Sequence, residues 1–116
     1  DALPISFQLS KECALAKRYI DSNYSQNITL DSLAEITHIN KFYLAHSFTE
    51  CVGQSPINYL TDRRLEACKG LLVSSNLSVA QVATSVGFSS QSYFSQIFRK
   101  KTGMTPRQYR SRYARK

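Results

Sequence analysis

Residues 28–34 read ITLDSLA, and residues 77–83, 49 positions later, read LSVAQVA, which agrees in apolar or polar character at six of the seven positions. After one inserted residue the offset becomes 50, and five residues recur at that spacing: Tyr43, Phe48, Gly53, Pro56 and Tyr59 return as Tyr93, Phe98, Gly103, Pro106 and Tyr109. Five identities in one register indicate a duplicated unit. A duplicated unit is suited to a target whose own structure repeats with a matching period.

Each copy carries the sequence signals of a short helix, a tight turn and a second helix. Thr29 and Ser78 are hydroxyl residues suited to cap the first helix of each copy. Asn40 is suited to cap the second helix of the first copy, which Gly53 ends. The predicted helices cover residues 30–37 and 41–52, then 79–86 and about 90–102. Such a helix pair is the arrangement that places a helix in a DNA groove.

The two predicted turns differ in one residue type. Gly87 supplies the left-handed backbone that a tight turn needs, whereas the equivalent position in the first copy is His38. A residue with a Cβ atom costs about 1 kcal/mol in that conformation. We therefore expect the first turn to differ in shape from the second.

Three further helices complete an all-α prediction, because no segment alternates with period two over the length of a strand. Ser10 is expected to cap a first helix that runs to about Tyr24, after a loose segment in which Pro4 blocks an early helix. The pairs Ser55-Pro56 and Thr105-Pro106 each begin a helix, because Pro is tolerated at the first helical position. About seven helices result, arranged as a loose segment 1–9, a first helix-turn-helix lobe 10–55, a linker helix 56–73 and a second lobe 74–116 with a basic tail.

The length of the linker helix supports a pair of groove-binding lobes. Eighteen residues at about 1.5 Å each span roughly 27 Å. Successive major-groove faces on one side of B-DNA lie about 34 Å apart, which is the same order of length. The prediction is therefore that two recognition helices enter adjacent major grooves.

Helical spacing separates a buried and an outward stripe on each recognition helix. Leu44, Phe48 and Val52 are predicted to face the core in the first copy. The second copy is predicted to bury Tyr93, Phe94, Ile97 and Phe98. The outward stripes would contact bases, and they consist of Phe42, Ala45, His46 and Thr49 in the first copy and Gln91, Ser92, Ser95 and Gln96 in the second.

These outward residue types suit the edges of base pairs. Gln can pair with adenine through two hydrogen bonds in the major groove, and His46 could bond to guanine. Phe42, Ala45 and the methyl group of Thr49 suit contact with the thymine methyl group. An alternative for Phe42 is burial between the two helices of its own copy.

The charge of the chain is unevenly distributed. The net charge is +7, yet residues 1–60 hold four basic and six acidic residues, whereas residues 61–116 hold eleven basic and two acidic residues. A basic half of this kind favours a polyanion, although a solubilising surface or a disordered basic tail would have the same composition. Candidate phosphate contacts are Asn40, Lys41, Ser89, Ser90, Arg99, Lys100, Lys101, Thr105, Arg107 and Arg110.

The composition argues against several other classes of protein. Cys13, Cys51 and Cys68 fit neither a disulfide framework nor a zinc site, and Cys51 and Cys68 are expected to be buried, reduced thiols of a cytosolic protein. No metal and no cofactor is expected. The two histidines suggest no catalytic triad, and no glycine-rich phosphate loop occurs, so no enzyme is predicted. No apolar run is long enough for a membrane span, and no signal peptide is recognised.

These residues resemble the AraC family of bacterial transcription regulators over about residues 9–112. The most specific stretch is VAQVA at 79–83, followed by GFSSQSYFSQIFRK at 87–100 and GMTPRQYR at 103–110. The first copy resembles the family more loosely, through Leu33-Ala34, Phe42-Tyr43-Leu44, Phe48 and GQSP at 53–56.

The resemblance implies two helix-turn-helix lobes joined by a long helix, bound to adjacent major grooves of operator or promoter DNA. It also implies a separate sensing or dimerisation domain and RNA polymerase as a further partner. By matched position, the base-reading residues would be Phe42, Ala45, His46, Gln91, Ser92, Ser95 and Gln96. Many members carry Arg at the positions of His46 and Gln96, so a guanine preference is not implied there.

One alternative function remains beside DNA binding. Paired helices could form a protein-interaction module, although helical solenoids need three or more repeats and this chain has two. Such a module would not account for the uneven charge. RNA is disfavoured because A-form helices lack an open major groove.

Overall fold

The computed structural model describes the backbone of residues 5–114 and the side chains of residues 11–114. Within residues 5–114 the chain forms seven α-helices and no strand, which confirms the all-α prediction. The helices are α1 (Ile5–Asn23), α2 (Leu30–Thr37), α3 (Lys41–Val52), α4 (Pro56–Ser74), α5 (Val79–Ser85), α6 (Gln91–Thr102) and α7 (Pro106–Tyr113). None of these helices is long and apolar enough to cross a membrane.

The chain divides into two compact units, 1–63 and 64–116, and the division falls inside α4. The first unit contains α1, α2, α3 and the first part of α4. The second unit contains the remainder of α4 with α5, α6 and α7. The predicted linker helix therefore contributes residues to both units.

Reciprocal side-chain caps set the start of three short helices. Thr29 Oγ1 accepts from the Ser32 N–H, and Ser32 Oγ accepts from the Thr29 N–H. Ser78 with Gln81 begins α5 in the same way, and Thr105 with Gln108 begins α7. Helices of seven or eight residues are marginal in isolation, so these capping boxes fix boundaries that helix propensity alone would leave open.

The start of α1 differs from the prediction. The helix begins at Ile5, so the expected loose segment 1–9 and the expected cap at Ser10 are wrong for residues 5–10. Because proline is tolerated in the first turn of a helix, a proline at position 4 of the sequence does not prevent a helix that begins at Ile5. Residues 1–4 and 115–116 lie outside the described part of the chain.

The first unit packs α1, α2 and α3 around one apolar cluster. Its buried members are Cys13, Ala16, Ile20, Ile28, Leu33, Leu44, Phe48 and Leu60. Phe48 is fully buried and meets Tyr59 edge-on, with ring centroids 5.7 Å apart. The Tyr59 hydroxyl donates to Asp21 Oδ1 at 2.6 Å, which ties α4 to α1. Burial, followed by the hydrogen bond to Asp21, raises the pKa of Tyr59 to about 12, so this hydroxyl remains a donor at any physiological pH.

The second unit repeats the same ring pair. Phe98 is fully buried and meets Tyr109 edge-on, with ring centroids 5.5 Å apart. Phe94 packs between Phe98 and Phe88, at 5.6 and 5.2 Å. The predicted burial of Tyr93 is wrong, because its side chain is 52% exposed at the edge of Phe88. Its counterpart Tyr43 is 67% exposed, so the repeated tyrosine belongs to the surface of both units.

The first turn keeps the left-handed backbone despite its histidine. His38 has φ 58° and Gly87 has φ 108°, so both copies reverse direction through a residue with positive φ. The expectation of a different first turn is wrong in this respect. The first copy accepts the strain of a Cβ atom in this region, at a cost of about 1–2 kcal/mol, whereas the second avoids it.

Glycine substitutions should separate helix propensity from turn geometry. Gly70 lies inside α4 and has open space where a Cβ atom would lie, so Gly70→Ala should stabilise the protein by about 0.5–1 kcal/mol. Gly87→Ala should destabilise it by about 1–2 kcal/mol, because φ is positive there. Urea unfolding followed by circular dichroism measures both effects. Equal changes for the two variants would contradict this account of the turn.

Candidate DNA interface

The second helix of each helix-turn-helix motif begins at a side-chain cap. Asn40 Oδ1 accepts from the Phe42 N–H at 2.8 Å at the start of α3. Ser90 Oγ accepts from the Tyr93 N–H at 3.2 Å at the start of α6. Gly53 and Gly103, both with positive φ, end the two helices at equivalent positions. Each recognition helix therefore has twelve residues, and both helices begin and end at equivalent positions of the repeat.

The outward stripe of α3 is placed where the sequence predicted it. Phe42 is 71% exposed, so its alternative burial between helices is wrong. The His46 side chain is 73% exposed, Thr49 is exposed, and Ala45 is half-buried. Thr49 Oγ1 donates back to the Ala45 carbonyl at 2.8 Å, which leaves the methyl group as the outward part of Thr49. This helix offers apolar groups and one imidazole.

The outward stripe of α6 is polar throughout. Gln91, Ser92 and Gln96 are exposed, and Ser95 is half-buried on the same side. The opposite side holds the fully buried Phe94 and Phe98, which anchor the helix to the core of its unit. The eight predicted base-contacting residues therefore lie on two helices, four to each, and no predicted member is buried.

The last turns of the two recognition helices differ from each other in charge. Helix α6 ends with Arg99, Lys100 and Lys101, all of them exposed. The equivalent residues of α3 are Thr49, Glu50 and Cys51, which carry no positive charge. The first unit, residues 1–63, holds five basic and seven acidic residues, and the second holds ten basic and one acidic residue. Cations favour a helix C-terminus and attract phosphate, so only the second unit carries a strong positive surface.

Glu50 is a residue that the sequence prediction missed. Its carboxylate Oε1 lies 3.1 Å from His46 Nε2, one helical turn away, and both side chains are at least 70% exposed. The repeat contains the signal that could have found it, because Lys100 stands at the equivalent position of the second copy. A carboxylate beside the outward stripe repels phosphate and can accept a hydrogen bond from cytosine N4.

Several predicted phosphate contacts have partners inside their own unit. Lys41 Nζ lies 3.1 Å from Asp31 Oδ1 and 5.6 Å from the centre of the Phe42 ring. Thr105 uses its hydroxyl and its N–H in the capping box with Gln108. Asn40 and Ser90 serve as helix caps, as described above, and Ser89 and Arg107 are exposed.

Arg110 has a structural role that the sequence did not reveal. Its Nε donates to the Leu72 carbonyl at 2.9 Å, and its Nη2 donates to the Leu77 carbonyl. The guanidinium therefore binds backbone oxygens between the end of α4 and the start of α5. These two hydrogen bonds hold Arg110 inside the second unit, and its contact with phosphate stays a prediction.

Lys101 is exposed, but it lies away from the outward stripe. It follows Ser92 by nine residues on α6, which places it about 180° around the helix. Arg99 and Lys100 lie closer to the stripe, seven and eight residues after Ser92. Lys101 is therefore a matched control for the charges of its two neighbours.

Two helix-turn-helix motifs with exposed second helices, one of them strongly basic, define a DNA-binding domain. A helix-turn-helix domain family matches residues 33–112 of the chain. A solved structure of the C-terminal domain of AraT, a response regulator from Geobacillus stearothermophilus, superposes with a TM-score of 0.89 at 36% identity, covering 93% of this chain and 90% of that one. The chain belongs to the AraC family of transcription regulators and forms its DNA-binding domain.

Other relatives agree with this assignment. The DNA-binding domain of AdpA, solved in complex with a target DNA, has a TM-score of 0.76 at 26% identity and covers 90% of this chain and 91% of that one. The uncharacterized HTH-type transcriptional regulator YobQ of Bacillus subtilis is 40% identical over 93 residues, which are 80% of this chain and 39% of that protein.

The raffinose operon transcriptional regulatory protein RafR of Pediococcus pentosaceus is 34% identical over 110 residues, or 95% of this chain and 40% of that protein. The chain thus spans less than half the length of these curated relatives. Most relatives are named as transcriptional regulators, and AdaA of Bacillus subtilis, 34% identical over 96 residues, is named as both an activator and a DNA repair enzyme.

Proposed function

We propose that this chain binds double-stranded operator DNA in a sequence-specific manner, with α3 and α6 in adjacent major grooves. The single observation that carries the proposal is the pair of outward stripes on two equivalent, capped helices. Gln91 and Gln96 are suited to adenine, and Phe42 with the Thr49 methyl group is suited to thymine. Arg99, Lys100 and Arg107 supply exposed positive charge for the DNA backbone.

The wider setting of the domain is part of the same proposal. In the full-length protein a sensing or dimerisation domain would control this one, and RNA polymerase would be the partner at the promoter. The domain itself would act in the cytoplasm and carry no catalytic activity. The match to the C-terminal domain of a response regulator supports attachment to a signal-receiving part.

A salt titration of binding to duplex DNA tests the proposal. A protein that neutralises several phosphates loses affinity with a log–log slope of about −0.9 for each of them. We expect a steep slope for a duplex selected from a random pool and a weaker affinity for an unselected duplex. A response to salt that is flat, or equal affinity for all duplexes, would contradict groove recognition and favour a protein-interaction module.

Gln96→Ala should change which base is preferred at one position. Its exposed amide lies in the centre of the α6 stripe, and loss of a bidentate contact to adenine costs about 1–3 kcal/mol of discrimination. Site selection from random duplexes, with the variant and the original chain in parallel, measures this relaxation. Gln26→Ala, in the exposed loop after α1, serves as the control and should leave the selected sequence unchanged. An unaltered preference for Gln96→Ala would remove α6 from base recognition.

A further inference from the structure

Two of the three cysteines lie side by side in the first unit. Cys13 lies on α1 and is 2% exposed, whereas Cys51 lies on α3 and is exposed. Both line one surface cavity together with Ala14, Lys17 and Val52. The two side chains are close enough that a hydrogen bond donated by the Cys13 thiol to the Cys51 sulfur contributes to raising the pKa of Cys13. The exposure of Cys51 also corrects the expectation that its thiol is buried.

The third cysteine provides an internal contrast. Cys68 is fully buried in the second unit, where burial raises the pKa of its thiol to about 12. Neither Cys13 nor Cys51 lies in that unit. The spacing of the cysteines in the sequence gave no sign of a pair, because only the packing of α1 against α3 brings Cys13 and Cys51 together.

We propose that Cys13 and Cys51 form a dithiol site that hydrogen peroxide oxidises to an intramolecular disulfide. In the first step the Cys51 thiol gives up its proton, its sulfur attacks the peroxide and the O–O bond breaks. Cys51 becomes a sulfenic acid, and the hydroxide that leaves takes up that proton as one water. In the second step the Cys13 sulfur attacks the Cys51 sulfur, the S–O bond breaks, and the proton of Cys13 leaves with the hydroxyl group as a second water. Two thiols and one peroxide thus yield one disulfide and two waters.

The surroundings of the two cysteines indicate which thiol is oxidised first and which thiol then forms the disulfide. Cys51 is the cysteine that solvent reaches, so it is the one that meets hydrogen peroxide first. Burial, as the largest cause, raises the pKa of Cys13, which keeps it as the protonated second thiol. Cys13 is hydrogen-bonded to the buried Ser47, which holds its sulfur at the wall of the cavity.

The site is tested on the reduced chain with hydrogen peroxide as the probe. We expect two of the three thiols to disappear in a thiol count under denaturing conditions, together with a mass loss of two hydrogens and recovery of both thiols with a dithiol reductant. Peptide mapping should identify a link between Cys13 and Cys51. Cys68→Ser, the matched control, should retain all of this behaviour.

Single variants distinguish the two steps. In Cys13→Ser, the sulfenic acid of Cys51 has no second thiol and should be trapped by dimedone. In Cys51→Ser, peroxide should consume no thiol under the same conditions. The proposal is overturned if peroxide converts Cys51 of the original chain to a sulfinic acid while Cys13 stays reduced. Disulfide-linked dimers as the main product would overturn it as well.

Discussion

Phe98→Ala should lower the free energy of unfolding of the second unit by about 3–5 kcal/mol, the usual cost of removing a fully buried phenyl ring. The ring contacts Phe94 and Tyr109, at centroid distances of 5.6 and 5.5 Å, so its loss opens a cavity where α6 meets α7. Thermal unfolding followed by circular dichroism measures the effect, which should lower the midpoint by on the order of 10 °C or more.

Two variants make the comparison specific. Phe48→Ala removes the equivalent ring of the first unit, which is also fully buried, and should have a cost of the same size. Phe42→Ala makes the same chemical change at a ring that is 71% exposed and should stay within about 0.5 kcal/mol of the original chain. A loss below about 1 kcal/mol for Phe98→Ala would mean that the repeated ring pair is not central to the unit.

Replacing Arg99 and Lys100 together by Gln should weaken binding to every duplex, selected or not. Two phosphate contacts account for about 1.8 of the log–log salt slope. If the variant and the original chain bind equally at 1 M salt, the variant should bind about 60-fold more weakly than the original chain at 0.1 M. Fluorescence anisotropy with a labelled duplex at several salt concentrations gives both the loss and the slope. The selected base sequence should not change, because phosphate contacts carry no sequence information.

Lys101→Gln is the control for this pair, since it removes the same charge from the far side of α6. Its salt slope should remain close to that of the original chain.

Glu50→Lys tests the complementary change in the first unit, because it installs the cation of the second copy at the equivalent position. It should steepen the slope by about 0.9. Glu35→Lys, on α2, reverses the same charge away from the recognition helix and should have a smaller effect. Equal slopes for all four variants would contradict the assignment of these charges to the DNA backbone.

The sequence predicted the helices best where their ends carry chemical signals. The hydroxyl caps at Thr29 and Ser78 and the glycines at 53 and 103 fall where the structure begins and ends its helices. The start of α1 at Ile5 carries no such signal, because a proline one residue earlier is compatible with both a loop and a helix start. Helical periodicity placed Phe42 and Gln96 on the outside correctly, because the fully buried Leu44 and Phe98 fix the opposite faces.

Sequence patterns offer less guidance on individual side chains, whose surroundings depend on how the helices pack. Arg110 donates to the carbonyl of Leu72, 38 residues earlier, and no local pattern in the sequence indicates this structural hydrogen bond. Tyr93 is aromatic and therefore predicted to be buried, but Tyr93 and its repeat partner Tyr43 are both exposed, so recurrence of a tyrosine in both copies is no sign of burial. The apolar neighbours of Cys51 in the sequence predict a buried thiol, but Cys51 is exposed and lines a surface cavity.

The repeated pairs Phe48–Tyr59 and Phe98–Tyr109 pack against the buried side of each recognition helix, while the residues of the two outward stripes differ at nearly every position. Mutations in the outward stripe of one recognition helix therefore leave its buried ring pair intact, and they do not change the other copy. An operator could thus evolve one half at a time, with each intermediate regulator still folded and still anchored by the copy that had not changed.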